Sequence, residues 1–207
     1  MKCGDFPIWR IMREFLEESR YVDYSAANIR ETARLLFTGH NTPEEKARAA
    51  FEFVRDAIPH SFDCGASVIT AKASDVLRHK TGICHAKSNL LAALLRSQGI
   101  PVGFRYQHLT LLDDDSAGYC LHCYNAAYIG ERWVEIDARG NKKGVNAQFS
   151  LISPQLAFPN RPEYDEYTFD GIYAFPDLPT MTLLERAKSL EDVADGLPEF
   201  PSSPPQA

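Results

Sequence analysis

The run Thr81-Gly82-Ile83-Cys84, continued by a helical pattern and closed by Gly99-Ile100-Pro101, constrains this chain more than any other stretch. Gly82 interrupts whatever precedes it. From Cys84 onward the apolar residues Ala86, Leu90, Leu91, Leu94 and Leu95 recur at helical spacing. Gly99 and Pro101 end the run, because glycine accepts the left-handed cap conformation and proline cannot continue a helix. Cys84 therefore sits in the first turn of a mostly buried helix. Unpaired N–H groups and the positive end of the helix dipole gather there. That placement lowers a thiol's pKa and favours the nucleophilic thiolate. A cysteine in an apolar helix is otherwise a small buried hydrophobe. A nucleophilic reading needs a base and an orienting carboxylate from elsewhere in the chain.

The stretch before Cys84 reads as helical. Residues 6–19 carry apolar side chains at amphipathic spacing. Residues 25–38 predict a second helix, with Ser25 as N-cap and Gly39 as stop. Thr42-Pro43-Glu44-Glu45 joins an N-cap, a proline at the first helical position and a capping-box glutamate, and opens a helix that Pro59 stops. Residues 60–73 look irregular, and Ser74 caps a short helix to Lys80. After Pro101 the texture changes. Residues 102–112 and 119–128 are rich in Val, Phe, Tyr, Leu and Ile, with turn composition at Asp113-Asp114-Asp115-Ser116 between them. Arg132 to Asp137 follows as a third strand. Helices first and strands after predict an α+β domain. Residues 138–178 read as loops with a short strand or two. Residues 180–195 predict a final helix, with Thr182 and Glu185 as its capping box. Residues 1–197 are expected to form one domain, with Pro198 to Ala207 as a loose Pro/Ser-rich tail.

Among the six histidines, His122 alone lies mid-strand in the meander, facing a hairpin partner that carries an acid. With Gly130-Glu131 as a two-residue turn, Ile129 pairs with Arg132, and Asp137 falls opposite Tyr124. His122, Tyr124 and Asp137 then share one face. His122 and Asp137 become diagonal neighbours, roughly 7–8 Å apart at the backbone and within reach of each other's side chains. A turn one residue longer would send the pair to opposite faces. A thiolate, an imidazole to take its proton and a carboxylate to hold the imidazole make up the generalised catalytic triad.

Gly82-Ile83-Cys84, the helix through Leu94-Leu95-Arg96 and then Gly99-Ile100-Pro101-Val102 resemble the cysteine region of the transglutaminase-like (transglutaminase-core) superfamily. His122 with Asn125 to Gly130, and Trp133-Val134-Glu135-Ile136-Asp137, are similar to its histidine and aspartate region. Leu77 matches the family's usual leucine before the turn. The resemblance covers about residues 45–140. It implies a papain-like α+β fold, a Cys84–His122–Asp137 triad and acyl-enzyme chemistry on amides, with no cofactor. His85 after the cysteine, and Cys123-Tyr124 after His122, depart from the family's commoner residues and imply an unusual subfamily and substrate.

Other residues invite blander readings. Cys120-Leu121-His122-Cys123 is no metal motif, because Cys123 points to the opposite face and no second cluster matches it. His85 is turned about 100° from the nucleophile by the helix and is expected to play a structural or rim role. His60 is expected to be an ordinary surface histidine, with donation to an oxyanion as the alternative. The oxyanion site is expected to include the Cys84 N–H. Trp133 is expected in the core, and the three aspartates in a solvated turn.

Composition limits the function. The net charge of −6 over 207 residues argues against a nucleic-acid partner. No run approaches the roughly 20 apolar residues of a membrane span, and the start Met1 to Pro7 has no signal-peptide core. Five cysteines, an odd number at low density, read as reduced thiols in a cytoplasm. Three functions compete: a cysteine hydrolase of an amide or isopeptide bond in a peptide or small amide, an acyltransferase to an amine, and a non-catalytic binding module of the same fold.

Overall fold

The Cys84 helix runs from Cys84 to Arg96, and every residue from His85 onward is buried. A helix covered on all sides is a core element rather than a surface one. The computed structural model, which describes residues 12–111 and 115–206, builds the rest of the domain around it. Before it come α1 (Ala27–Leu36), α2 (Pro43–Ala57), the single turn α3 (Ser61–Cys64) and α4 (Ala73–His79), so that the Cys84 helix is α5. It packs against α1, α2 and α4, and also against strands β1 (Val102–Thr110) and β2 (Tyr119–Ile129). β3 (Arg132–Ile136) and the two-residue β4 (Tyr167–Thr168) complete an antiparallel sheet of order β3-β2-β1-β4. Two short helices, α6 (Leu178–Arg186) and α7 (Leu190–Gly196), follow. The fold is α+β, as the order of sequence textures requires.

Local chemistry explains several boundaries. Thr42 and Glu45 form the full reciprocal capping box at the start of α2, with Pro43 at its first position. The Gly130-Glu131 turn has both central residues at positive φ, +57° and +62°, which is the backbone of a tight hairpin with matching twist. The register is the one that turn demands: Ile129 faces Arg132 and Asn125 faces Ile136.

Elsewhere tertiary contacts override local signals. Ser25 and Ser74 do not cap their helices. Ser74 instead donates its N–H (3.0 Å) and hydroxyl (2.5 Å) to the Asp23 carboxylate, so a residue distant in sequence holds that end. The expected helix over 6–19 lies partly outside the described residues. Within them only the turn Glu14–Leu16 forms, and Glu17 is already extended. Phe15 there is fully buried, edge-on to Trp133 at 4.9 Å. Most of the Asp113–Asp115 turn also lies outside the described residues. The helix expected over 180–195 is two helices, because Ser189 and Asp192 form a competing capping box, whereas Thr182 bonds back to Leu178. The tail expected to be loose is tied down. Leu121 N–H donates to Pro198 O at 2.7 Å, Ser202 bonds Asp177, and Gln206 N–H reaches Ile172 O.

Candidate active site

Cys84 is the first residue of α5, preceded by an extended Ile83 with no side-chain cap. Gly82 allows the approach to that start. A Cβ there would stand 3.2–3.4 Å from Ala86, Thr70 and Val76, so those side chains would have to give by a few tenths of an ångström. Cys84 as a residue is half-buried. His122 and Asp137 are 4 % and 1 % exposed, and His122 Nε2 lies 2.9 Å from Asp137 Oδ2. The hairpin thus brings together the two residues its register put on one face. Asp137 is held in turn by two backbone donors, Arg139 N–H at 3.0 Å and Ala157 N–H at 2.9 Å. The Phe158 ring packs edge-on against the imidazole at 5.3 Å. With Nε2 engaged by Asp137, Nδ1 is the nitrogen of His122 left for Cys84.

Electrostatics match this geometry. Burial alone would raise the Cys84 thiol. The charges of His85 and His122, with hydrogen bonds from His122 and His60, outweigh it and hold the thiol well below its ordinary pKa. Burial alone would lower His122, but the Asp137 and Cys84 charges raise it well above an ordinary histidine. The two shifts favour a thiolate–imidazolium pair.

Two histidines sit differently from expectation. His85 is buried, and its Nδ1 lies 3.3 Å from the Cys84 sulfur. At the first helical turn no preceding turn blocks the space, so the longer imidazole arm reaches back over the thiol. His60 is no surface histidine either. It is 8 % exposed, and its Nε2 accepts the Cys84 backbone N–H at 3.2 Å. Nothing local in the sequence marks this; the contact arises because the segment after Pro59 bridges in parallel to Gly82.

A third residue gave no sequence signal. Lys87 is buried one turn into α5 and donates to Ile58 O. Burial, then the Arg139 charge, brings it down to about 7. Cys120 shares the His122 face and is held up at about 12 by burial and by the neighbouring Cys84 charge. It is a thiol that stays protonated near Cys84. Cys64, Cys84, Cys120 and Cys123 are all free thiols. Among the described residues no group of three or more His, Cys, Asp or Glu side chains is arranged to hold a metal ion. No helix among them is long and apolar enough to cross a membrane.

Comparisons with known proteins bear on the lineage of this arrangement. No curated protein matches the chain. Among solved structures, a candidate cysteine protease from Cytophaga hutchinsonii is similar at 22 % identity and TM-score 0.49, over 62 % of this chain and 42 % of that one. The periplasmic domain of TgpA from Pseudomonas aeruginosa is similar at 18 % identity and TM-score 0.47, over 62 % of this chain and 48 % of that one. The matched part spans less than half of either structure. The profile of the transglutaminase-like superfamily matches residues 30–138, more than half of the chain. That span runs from α1 through the Cys84 helix to the far end of the hairpin that carries His122 and Asp137, and by it the chain belongs to the transglutaminase-like superfamily.

Proposed function

We propose that the protein is a cysteine-dependent hydrolase of an amide or isopeptide bond in a peptide or small amide, with Cys84, His122 and Asp137 as its catalytic residues. The observation that carries this reading is the 2.9 Å contact of His122 with a backbone-anchored Asp137, behind a thiol at a helix start whose pKa is depressed. The thiolate attacks the carbonyl carbon, and the Cys84 N–H stabilises the oxygen as it gains charge. The tetrahedral intermediate collapses to a thioester. His122, protonated in the ion pair, gives its proton to the departing amine. The same ring then takes a proton from water, which hydrolyses the thioester and frees the thiol. Asp137 holds the imidazole with Nδ1 toward the sulfur and stabilises its positive form. The free thiols suit a reducing compartment, and we place the reaction in the cytoplasm.

Iodoacetamide labelling over a range of pH is the first test. Selective alkylation of Cys84 at a pH where the other cysteines stay unreactive supports the reading. An ordinary pH profile at Cys84 sinks it and leaves a binding module. A panel of amides, with and without primary amines, then separates hydrolysis from transfer. Free acid in both cases is the expected result, and an acyl–amine product would make the protein an acyltransferase.

A further inference from the structure

The thioester reading above needs more than one donor for the developing oxyanion, and the inference drawn here rests on that reading. One donor is the Cys84 N–H. Facing it, with Nε2 at 3.2 Å from the Cys84 nitrogen, is the ring of His60. That ring is 8 % exposed. Its other nitrogen, Nδ1, is buried with no hydrogen-bond partner among the described residues. A buried imidazole with one nitrogen left unsatisfied calls for an explanation, and strain or function supplies the usual ones.

The surroundings hold this ring in place. Ser61 N–H donates to Gly82 O at 3.1 Å, next to the parallel bridge between His60 and Gly82. Ser61 Oγ lies 3.1 Å from Thr81 Oγ1, and Thr81 Oγ1 donates to Pro59 O at 3.3 Å. Beyond the ring, Asp63 is bound by the Arg139 guanidinium and by Lys142 Nζ at 2.7 Å. Arg139 follows Asp137 by two residues, so the His60 segment is fastened both to the approach to Cys84 and to the strand end that carries the carboxylate. Phe62 stacks on the ring at 5.9 Å. His85, by contrast, lies against the sulfur through its Nδ1.

We propose that His60 is the second oxyanion donor, its Nε2–H converging with the Cys84 N–H on the oxygen of the attacked carbonyl. In the resting site the Cys84 N–H points at Nε2 itself. The substrate oxygen enters between them and replaces one hydrogen bond with two. While Nε2 accepts the Cys84 N–H, the neutral ring carries its proton on Nδ1, where no acceptor among the described residues holds it. As the substrate oxygen arrives, Nδ1 gives that proton to water and Nε2 takes one from water, so the ring stays neutral and gains its Nε2–H. In the step itself, a sulfur lone pair forms the C–S bond and the carbonyl π pair moves onto oxygen. That oxygen accepts two hydrogen bonds and no proton. On collapse the C=O reforms, the C–N bond breaks, and His122 protonates the amine. His60 stays neutral throughout. Burial pushes its pKa down against its hydrogen bond with Cys84, and the Arg139 charge adds to the fall.

Two probes separate this role from a merely structural one. Iodoacetamide reacts with the thiolate without forming an oxyanion, whereas 4-nitrophenyl acetate acylates it through one. In the full chain, His60→Ala should slow Cys84 acylation by about 10²–10³-fold while alkylation on its pH plateau changes by no more than about threefold. His60→Gln, which keeps an N–H donor on a planar group, should recover part of the loss. If His60→Ala does not fold, His60→Phe, which fills the space with no donor, takes its place. Equal losses in both reactions, or no loss in acylation, overturn the assignment. If the wild-type chain is acylated no faster than Cys84→Ala, the acyl-enzyme reading itself fails and takes this assignment with it. The wild-type control therefore tells the two failures apart.

Discussion

At Cys84 burial and charge oppose each other, and the charges of the surrounding imidazoles win. An ordinary thiol titrates near 8.5. The alkylation rate of Cys84 should therefore already be on its plateau at neutral pH. The plateau should continue into the alkaline range, because the raised pKa of His122 preserves its positive charge there. His122→Ala should move the midpoint upward, as read by mass spectrometry of the labelled peptide. Asp137 offers a sharper division between chemistry and stability. Asp137→Ala leaves the Arg139 and Ala157 N–H groups buried without their acceptor, which costs about 1–3 kcal/mol for each. Asp137→Asn keeps one acceptor oxygen, turns an –NH2 toward the other backbone N–H and loses the charge. It should cost about 1–3 kcal/mol of stability, roughly half the Asp137→Ala loss, and still lose about 10³-fold or more in acylation rate.

The elements differ in how far their own residues explain them. Helix α2 is self-contained: cap, proline and capping-box glutamate are all local. Thr42→Ala should lower stability by about 1 kcal/mol in chemical denaturation. Helix α5 depends on the rest of the molecule at both ends. Its last residue, Arg96, is 3 % exposed. Its guanidinium binds the carbonyls of Glu17 (2.7 Å), Val102 (2.6 Å) and Ala174 (2.6 Å), joining the N-terminal segment, the first strand and a late loop. Arg96→Met keeps the bulk and strands three carbonyls, so the loss should be about 3 kcal/mol or more. The hairpin register was legible because a two-residue turn admits a single pairing. The caps of α1 and α4 were not: α1 starts from Ala26 without a side-chain cap, and the Ser74 hydroxyl beside α4 is spent on Asp23. The break between α6 and α7 lay in the sequence as Ser189 and Asp192, but a longer apolar periodicity masked it.

Across the whole molecule, two carboxylates fasten distant segments and make its stability depend on acid. Burial alone would raise both. Hydrogen bonds from Arg139 and Lys142 instead bring Asp63 down to about 2, and bonds from Arg161 and Thr110 bring Glu166 down to about 2. Their unfolded values lie near 3.9 and 4.3. A depressed folded pKa stabilises the protein above the unfolded value, and that contribution is lost as pH falls through the folded one. The urea midpoint should hold steady down to about pH 4.5 and drop steeply between there and about pH 2. Asp63→Asn and Glu166→Gln should each flatten that fall. Asp63→Asn should also slow Cys84 acylation, since Asp63 anchors the segment that positions His60.

What the sequence by itself determined is whatever depends on short-range periodicity and turn geometry. The Gly-x-Cys start, the buried helix and its stop, and the side of the hairpin on which His122 and Asp137 fall are all settled within a few residues of backbone. Tertiary structure decided which imidazoles surround the thiol. His60 arrives from a segment 24 residues upstream and His85 from the adjoining position, and neither placement follows from spacing. Each depends on which surfaces close against the first turn of α5. Local patterns carry no record of long-range packing, and it is packing that gathers the imidazoles that lower the pKa of Cys84.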